Sequence, residues 1–196
     1  MDFNEADLEN RLKNLTHEGR IAFGASCCER MLPNYKKFVG IEQWGDYDFF
    51  RKTLDKIWKQ TYEPKAPQDR LDKLKQQVFD LLPDEEEFES IYVSYALEAG
   101  ATVRNMLKYC QTRDVKYLLA VVNLLIATVD LFVQEKHDMD SQDPQLEEKI
   151  IQDIFMQKEL KKQLEDLELL KNQKTFNESY IKVFRSSVEG KSNIEL

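Results

Sequence analysis

The stretch CCERMLPNY, residues 27–35, places two thiols, a Glu-Arg pair and a proline close together. Adjacent cysteines on a helix point about 100° apart, so Cys27 and Cys28 cannot hold one metal ion between them. At helical spacing both thiols fall in a broad apolar sector, where a thiol packs as a small hydrophobic group. We therefore expect two core cysteines here, with no metal site and no activated nucleophile.

Three polar side chains crowd the outer side of the same stretch: Glu29, Arg30 and Asn34. One interpretation is a surface ion pair or a helix cap. The sharper alternative is a binding site for an anion or a carboxylate. Pro33 is predicted to begin a new helix and to force Leu32 out of helical dihedral angles, which makes the stretch a packed join between two helices.

A second candidate is a line of polar residues spaced by seven on an otherwise apolar helix: Lys116, Asn123, Asp130 and His137, with Gln134 beside them. Residues at this spacing lie on one side of a helix. The line could border a ligand groove, or form buried hydrogen bonds that fix the register between neighbouring helices. It could also be the strip of the helix that touches water.

Signatures of catalysis are mostly absent. Glu98 lies at the edge of an apolar stripe and is a candidate for a carboxylate with a shifted pKa. The two histidines, His17 and His137, complete neither an H-E-x-x-H nor a Glu-x-x-His motif. No Gly-rich phosphate loop and no G-x-S-x-G motif is present. We expect no cofactor, and the sequence favours a protein that is not an enzyme.

The composition is that of a soluble globular protein, with 42% apolar and 33% charged residues. A net charge of -8 argues against binding to nucleic acid or to an anionic membrane. The apolar run over residues 118–133 rises roughly 24 Å, short of the ~30 Å hydrocarbon core, so a core helix explains it better than a membrane span. The acidic start shows no secretory signal, and with three cysteines expected as free thiols this predicts a cytoplasmic protein.

Hydrophobic periodicity predicts a single all-α domain over residues 1–196, a bundle of eight or nine helices with no sheet. The first helix begins with Asn4 as its N-cap. A soft division is predicted near residues 63–67, and a short tail over residues 190–196. A long charged helix is predicted over residues 145–172, with a stripe of leucine and isoleucine along one side.

The segments CCERMLPNYKKF and WGDYDFFRKTLDKIWKQ together resemble the YjaG-like family of bacterial proteins. The family pattern has C-E-R-M, an aromatic residue and P-N-Y, where this chain has Leu32 in the aromatic position. The segments YALEAGATV and SNIEL resemble later parts of the family more loosely. The resemblance implies an all-helical cytoplasmic bacterial domain of unknown function, and it transfers no catalytic residue.

Two hypotheses about function follow. The favoured one is a non-enzymatic protein that works through contacts with a partner protein or with a second copy of itself, using the stripe of the long charged helix. The alternative is a small-molecule-binding protein or an enzyme that uses one of two polar clusters. These clusters are Asn123 with Asp130 and His137, and Glu29 with Arg30 and Asn34.

Overall fold

Nine helices follow one another along residues 5–196, the part of the chain that the computed structural model describes, and no strand occurs in this part. The predicted all-helical single domain is confirmed, while Asn4 lies outside the described residues. The helices are α1 (Glu5–Lys13), α2 (His17–Glu42), α3 (Tyr47–Lys59), α4 (Gln68–Asp80), α5 (Tyr92–Thr112), α6 (Lys116–Lys136), α7 (Leu146–Gln152), α8 (Ile154–Lys171) and α9 (Glu178–Ser186).

The central element is α2, which is buried on nearly all sides. Phe23, Met31 and Phe38 on this helix are completely buried. Helix α5 packs along α2 and α6 packs along α5, while α3 and α8 cover other sides of α2. A helix enclosed in this way needs apolar residues around most of its circumference, and the apolar sector of α2 is correspondingly broad.

The predicted helix join at Pro33 is wrong, because α2 runs through the proline without a break. A proline inside a helix leaves the carbonyl four residues earlier, that of Glu29, without its amide donor. Side chains on both sides of the proline are buried in the same core, Met31 before it and Tyr35 after it, so packing offsets the loss. The carbonyl of Arg30, the residue after Glu29, accepts a 3.1 Å hydrogen bond from the backbone N–H of Asn193.

The predicted long helix over residues 145–172 is two helices, separated by the extended residue Asp153. The Asp153 carboxylate accepts a hydrogen bond of 2.8 Å from the N–H of Phe155 and so caps α8. Most of the apolar stripe packs inside the domain, since Ile150, Leu160 and Leu167 are buried. The stripe therefore belongs mainly to the core of the domain.

Two non-helical segments join parts of the core. Residues 63–67 connect α3 to α4, and Ile57 before this loop and Leu71 after it belong to the same hydrophobic core. Residues 190–196 form no helix, but Ile194 is buried in a smaller core that α5, α6, α7 and α8 share. The C-terminal segment is thus a packed part of the domain.

Helix α6 is the one helix among the described residues that is long and apolar enough to cross a membrane, judged by length and composition. One side of it lies in the core, where Leu118, Val122 and Leu125 are completely buried. A core helix of a soluble protein has the same length and composition, so this feature alone does not assign a membrane span.

Gly24 marks the closest approach of α2 to its neighbours. A Cβ atom there would lie 2.8 Å from Leu118 Cδ2 and closer still to Met106 Sδ. Gly40, on the same helix, has open space around it, with no heavy atom within 4 Å of such a Cβ. The two glycines therefore separate the packing effect of an added methyl group from its effect on helix propensity.

We predict that Gly24→Ala lowers the free energy of unfolding by about 1–3 kcal/mol, because the methyl group overpacks the contact among α2, α5 and α6. Gly40→Ala should raise it by about 0.5–1 kcal/mol, because alanine favours a helix over glycine. Urea denaturation of both variants measures the difference. Equal effects of the same sign would show that α2 is not closely packed at Gly24.

Candidate functional site

Glu29 is almost fully buried and lies between two arginines. Arg51 donates two hydrogen bonds of 2.7 Å to its carboxylate, and the Trp58 indole N–H donates a third at 2.8 Å. Arg185 Nε lies 2.8 Å from Glu29 Oε1, which is an ion-pair distance, although its N–H does not point at that oxygen. Asp55 pairs with both arginines at the outer edge, at 2.9 and 2.7 Å.

Arg30 points to a different side of α2 and is also buried. It donates to both oxygens of Glu159, at 3.0 and 2.7 Å, and to Asp166 at 3.3 Å. Asp166 also accepts from Ser26 Oγ at 2.7 Å and pairs with Lys162. Burial by itself would lower the pKa of Arg30, but the combined effects of Glu159, Cys27 and Asp166 outweigh it and the pKa is raised. The guanidinium therefore stays charged.

Asn34 holds the C-terminal segment. Its Nδ2 donates to Asn193 Oδ1 at 3.1 Å, and its Oδ1 accepts from Ser192 Oγ at 2.7 Å. Asn34 is completely buried and Asn193 is 8% exposed. The side chain thus pins the end of the chain beside Pro33.

The three residues of this corner do not converge on one pocket. Glu29 faces α3 and α9, Arg30 faces α8, and Asn34 faces the C-terminal segment. The interpretation as a surface ion pair is wrong, since Glu29 is 1% exposed and Arg30 is 4% exposed. Their polar atoms hold elements of the fold together, and a ligand site in this corner stays a prediction.

The polar line on α6 is spread over about 21 Å of helix axis between Asn123 and His137. Asn123 is exposed and lines an open groove of about 560 Å³ between α5 and α6. Asp130 accepts from Gln134 at 2.6 Å, and His137 Nε2 lies 3.0 Å from the Asp153 carboxylate. Asp130 and His137 have separate partners and Asn123 lies in a groove apart from them, so the structure does not gather the three into one site.

Glu98 confirms the prediction of a shifted carboxylate. Burial raises its pKa to about 7, opposed by a hydrogen bond from Thr128 and assisted by repulsion from Glu85 and Asp130. Tyr95, one turn earlier on α5, donates a hydrogen bond from its hydroxyl to the Glu135 carboxylate. The facing sides of α5 and α6 therefore carry several carboxyl groups near this position.

The cysteines are free thiols, and Cys27 and Cys28 are completely buried, as predicted. Burial raises the pKa of both thiols, to about 12 for Cys27. Cys110 is partly exposed, and burial raises its pKa to about 12 as well. Thiols of this kind are protonated near neutral pH and are poor nucleophiles. Within residues 5–196, no group of three or more His, Cys, Asp or Glu side chains is placed to hold a metal ion.

A concave site of about 510 Å³ lies beside the loop between α3 and α4, and we call it the α3–α4 cleft. Its apolar floor comes from α3, α4 and α5. The floor residues are Ile57, Leu71, Leu74, Leu107 and Cys110. Since the first four of these are also buried members of the core, the floor is a rigid part of the domain.

The rim of the cleft carries a surplus of positive charge. It has five cations, Lys52, Lys56, Lys59, Lys65 and Arg70, against the carboxylates of Asp55 and Glu63. Asp55 is paired with arginines outside the cleft and Glu63 lies 3.6 Å from Lys59. The other four cations form no ion pair with any of the described residues, in a chain whose net charge is -8.

Sequence reasoning did not identify this cleft. The only local signal was the break at residues 63–67, where prolines separate two helices that each place basic residues near the loop. Leu107 and Cys110 come from α5, far along the chain, and a pattern within α3 or α4 does not reveal them. The site depends on how three helices pack.

We predict that Arg30→Met lowers the free energy of unfolding by about 3–5 kcal/mol, because it leaves Glu159 buried without its counter-charge and removes one of the two cations beside Asp166. The matched control is Arg11→Met, which removes an arginine that is 39% exposed and paired at the surface. Its expected loss is below about 1 kcal/mol. Guanidinium denaturation followed by tryptophan fluorescence compares the two. Similar losses would contradict a central role for the Arg30 network.

The raised pKa of Glu98 should make the stability of the domain depend on pH. Its pKa is raised to about 7 in the folded chain from the ordinary value of 4.5, so its contribution to stability is lost as pH rises from 4.5 through 7. Glu98→Gln should therefore raise the free energy of unfolding at pH 8, by about 1–2 kcal/mol after solvent screening, and have little effect at pH 4. Denaturation curves at both pH values measure this. A gain of equal size at both would contradict the shifted pKa.

Comparisons with known proteins agree with this fold. A crystal structure of a DUF416 family protein from Shewanella baltica OS155 superposes with a TM-score of 0.86 and 26% identity, covering 96% of this chain and 97% of that one. The uncharacterized protein YjaG of Escherichia coli K12 is 25% identical over 139 residues, 70% of each chain. The YjaG of Salmonella typhimurium is 28% identical over 97 residues, 50% of this chain and 49% of that protein.

The family model described as "Protein of unknown function (DUF416)" matches residues 7–196, nearly the whole described chain. The resemblance to YjaG-like proteins that the segments CCERMLPNYKKF and WGDYDFFRKTLDKIWKQ indicated is therefore confirmed. These matches describe a fold and a lineage without an assigned activity. The chain belongs to the DUF416 family of proteins of unknown function.

Proposed function

We propose that this protein is a non-enzymatic cytoplasmic binding protein that holds a small amphipathic anion in the α3–α4 cleft. The observation that carries the proposal is the combination of an apolar floor with four cations that lack ion-pair partners among the described residues. An apolar floor favours the hydrocarbon or aromatic body of a ligand, and the basic rim favours a carboxylate or phosphate head group.

The size of the cleft supports a single small ligand. Its volume of about 510 Å³ lies within the usual range of small-molecule pockets, roughly 300–1,000 Å³. Lys52 and Lys56 come from α3, Arg70 comes from α4, and Lys65 comes from the loop that joins them. An anionic head group at the rim would therefore be reached from both sides of the cleft.

The chemistry of the cleft favours binding over catalysis. The one thiol in its lining, Cys110, has a pKa raised to about 12 by burial and is protonated near neutral pH. Neither His17 nor His137 lines the cleft, so its lining contains no imidazole that could act as a general base. The lysines and the arginine of the rim are suited to hold an anion as fixed positive charges.

A cytoplasmic location is part of the proposal. It is supported by the three free thiols, two of them completely buried, which suit a reducing compartment. The predicted contacts with a partner protein or a second copy of the chain stay a prediction. Ile154, Leu169 and Val183 are the most exposed large apolar side chains of the described residues and would be the places to look for such contacts.

The experiment titrates octanoate and the neutral analogue octan-1-ol into the protein by isothermal calorimetry, with the anionic dye 8-anilinonaphthalene-1-sulfonate as a fluorescent competitor. We expect saturable binding of octanoate, weaker binding of octan-1-ol, and displacement of the dye. Lys56→Gln with Arg70→Gln should weaken octanoate binding about tenfold, because two charge contacts of roughly 0.7 kcal/mol each are lost.

The control is Lys174→Gln with Lys182→Gln, which removes the same charge at two exposed positions away from the cleft. This double variant should bind octanoate as the unmodified protein does. If octanoate does not bind, or if both double variants lose affinity equally, the proposed site is wrong.

A further inference from the structure

A second cavity lies between α8 and the segment that follows α9, with a volume of about 370 Å³, and we call it the α8–tail pocket. The buried ion pair of Arg30 and Glu159 forms part of its lining. The segment over residues 187–193 closes the other side, held in place by the hydrogen bonds from Asn193 to Arg30 and from Asn34 to Asn193. The walls of the pocket are therefore fixed by the core of the fold.

The charges in this pocket do not cancel. Arg30 is matched by Glu159, Lys162 by Asp166, and Lys161 by Glu165 at 3.9 Å. Lys158 and Lys191 also line the pocket, and neither forms an ion pair with a carboxylate of the described residues. After the paired charges are counted, two ammonium groups of the lining remain without a counter-charge within residues 5–196, Lys158 on α8 and Lys191 on the C-terminal segment.

The hydrogen-bond donors still free in the pocket are ammonium N–H groups. Lys191 donates one of its three N–H groups to the Ser187 carbonyl at 2.8 Å, which leaves two. The hydroxyl of Ser192, also in the lining, is already committed to Asn34. Val188 is the one apolar residue of the lining.

We infer that the α8–tail pocket binds a small hydrophilic oxyanion of the phosphate class, either free phosphate or the phosphate group of a monoester. Lysine ammonium groups bind phosphate as point charges without a fixed fork geometry, and two or more of them suit an anion that carries more than one charge. The lining has one apolar residue, Val188, where the α3–α4 cleft has a floor of five, and the inference does not depend on the function proposed there.

Binding at this position would connect two elements that are distant along the chain. An anion held by Lys158 and Lys191 joins α8 to the C-terminal segment, which buries Asn193 and Ile194. A ligand that binds only the folded chain stabilises it according to its concentration and affinity. The occupied pocket should therefore raise the melting temperature of the domain.

The test measures calorimetric binding and thermal melting with inorganic phosphate and with glycerol 3-phosphate, against chloride at equal ionic strength. We expect saturable binding and a higher melting temperature with at least one of the two phosphates. Tighter binding of inorganic phosphate would identify the free ion as the ligand class, and tighter binding of glycerol 3-phosphate would identify a monoester.

Lys158→Gln with Lys191→Gln should weaken phosphate binding at least tenfold and leave octanoate binding unchanged. Lys174→Gln with Lys182→Gln, which has the same change of charge, should retain phosphate binding. Both lysines of the test pair are exposed, so folding of the variant is not at risk. If phosphate stabilises no more than chloride, or if the two double variants lose affinity alike, the inference is overturned.

Discussion

The fold depends on neutralising the charges that α2 carries into the core. Placing an unpaired charge in a protein interior costs several kcal/mol, so Glu29 and Arg30 need partners with good geometry. Glu29 receives Arg51 from α3 and Arg185 from α9, while Arg30 receives Glu159 from α8. Three helices are thereby drawn to specific sides of α2. Apolar packing alone would tolerate many arrangements of these helices, but the ion pairs restrict them.

The proline in α2 is part of the same arrangement. Three residues before Pro33, the Arg30 carbonyl accepts a backbone hydrogen bond from the N–H of Asn193. Asn34 adds side-chain bonds to the same segment. The end of the chain is therefore docked against its centre, and the wall of the α8–tail pocket is a consequence of that docking.

The charges that remain for function lie outside this network. The buried arginines and carboxylates satisfy one another, so they hold the fold together and have little capacity left for a ligand. The rim of the α3–α4 cleft and the lysines of the α8–tail pocket are different, since Lys56, Arg70, Lys158 and Lys191 have no carboxylate partner among the described residues. In a chain with net charge -8, these two places favour anions.

The sequence by itself determined the class of fold and the local character of many positions. Helical periodicity predicted the all-helical domain and the buried thiols of Cys27 and Cys28, because both follow from neighbours within a few turns of one helix. It also placed Glu98 at the edge of an apolar stripe, but the shift of its pKa depends on burial, on Thr128 and Asp130 of α6, and on Glu85. The tertiary structure decided that α2 continues through Pro33, that Glu29 and Arg30 are buried, and where the cavities lie. Those outcomes depend on partners far along the chain, such as Asp166, which is 136 residues from Arg30, and a helical wheel contains no information about them.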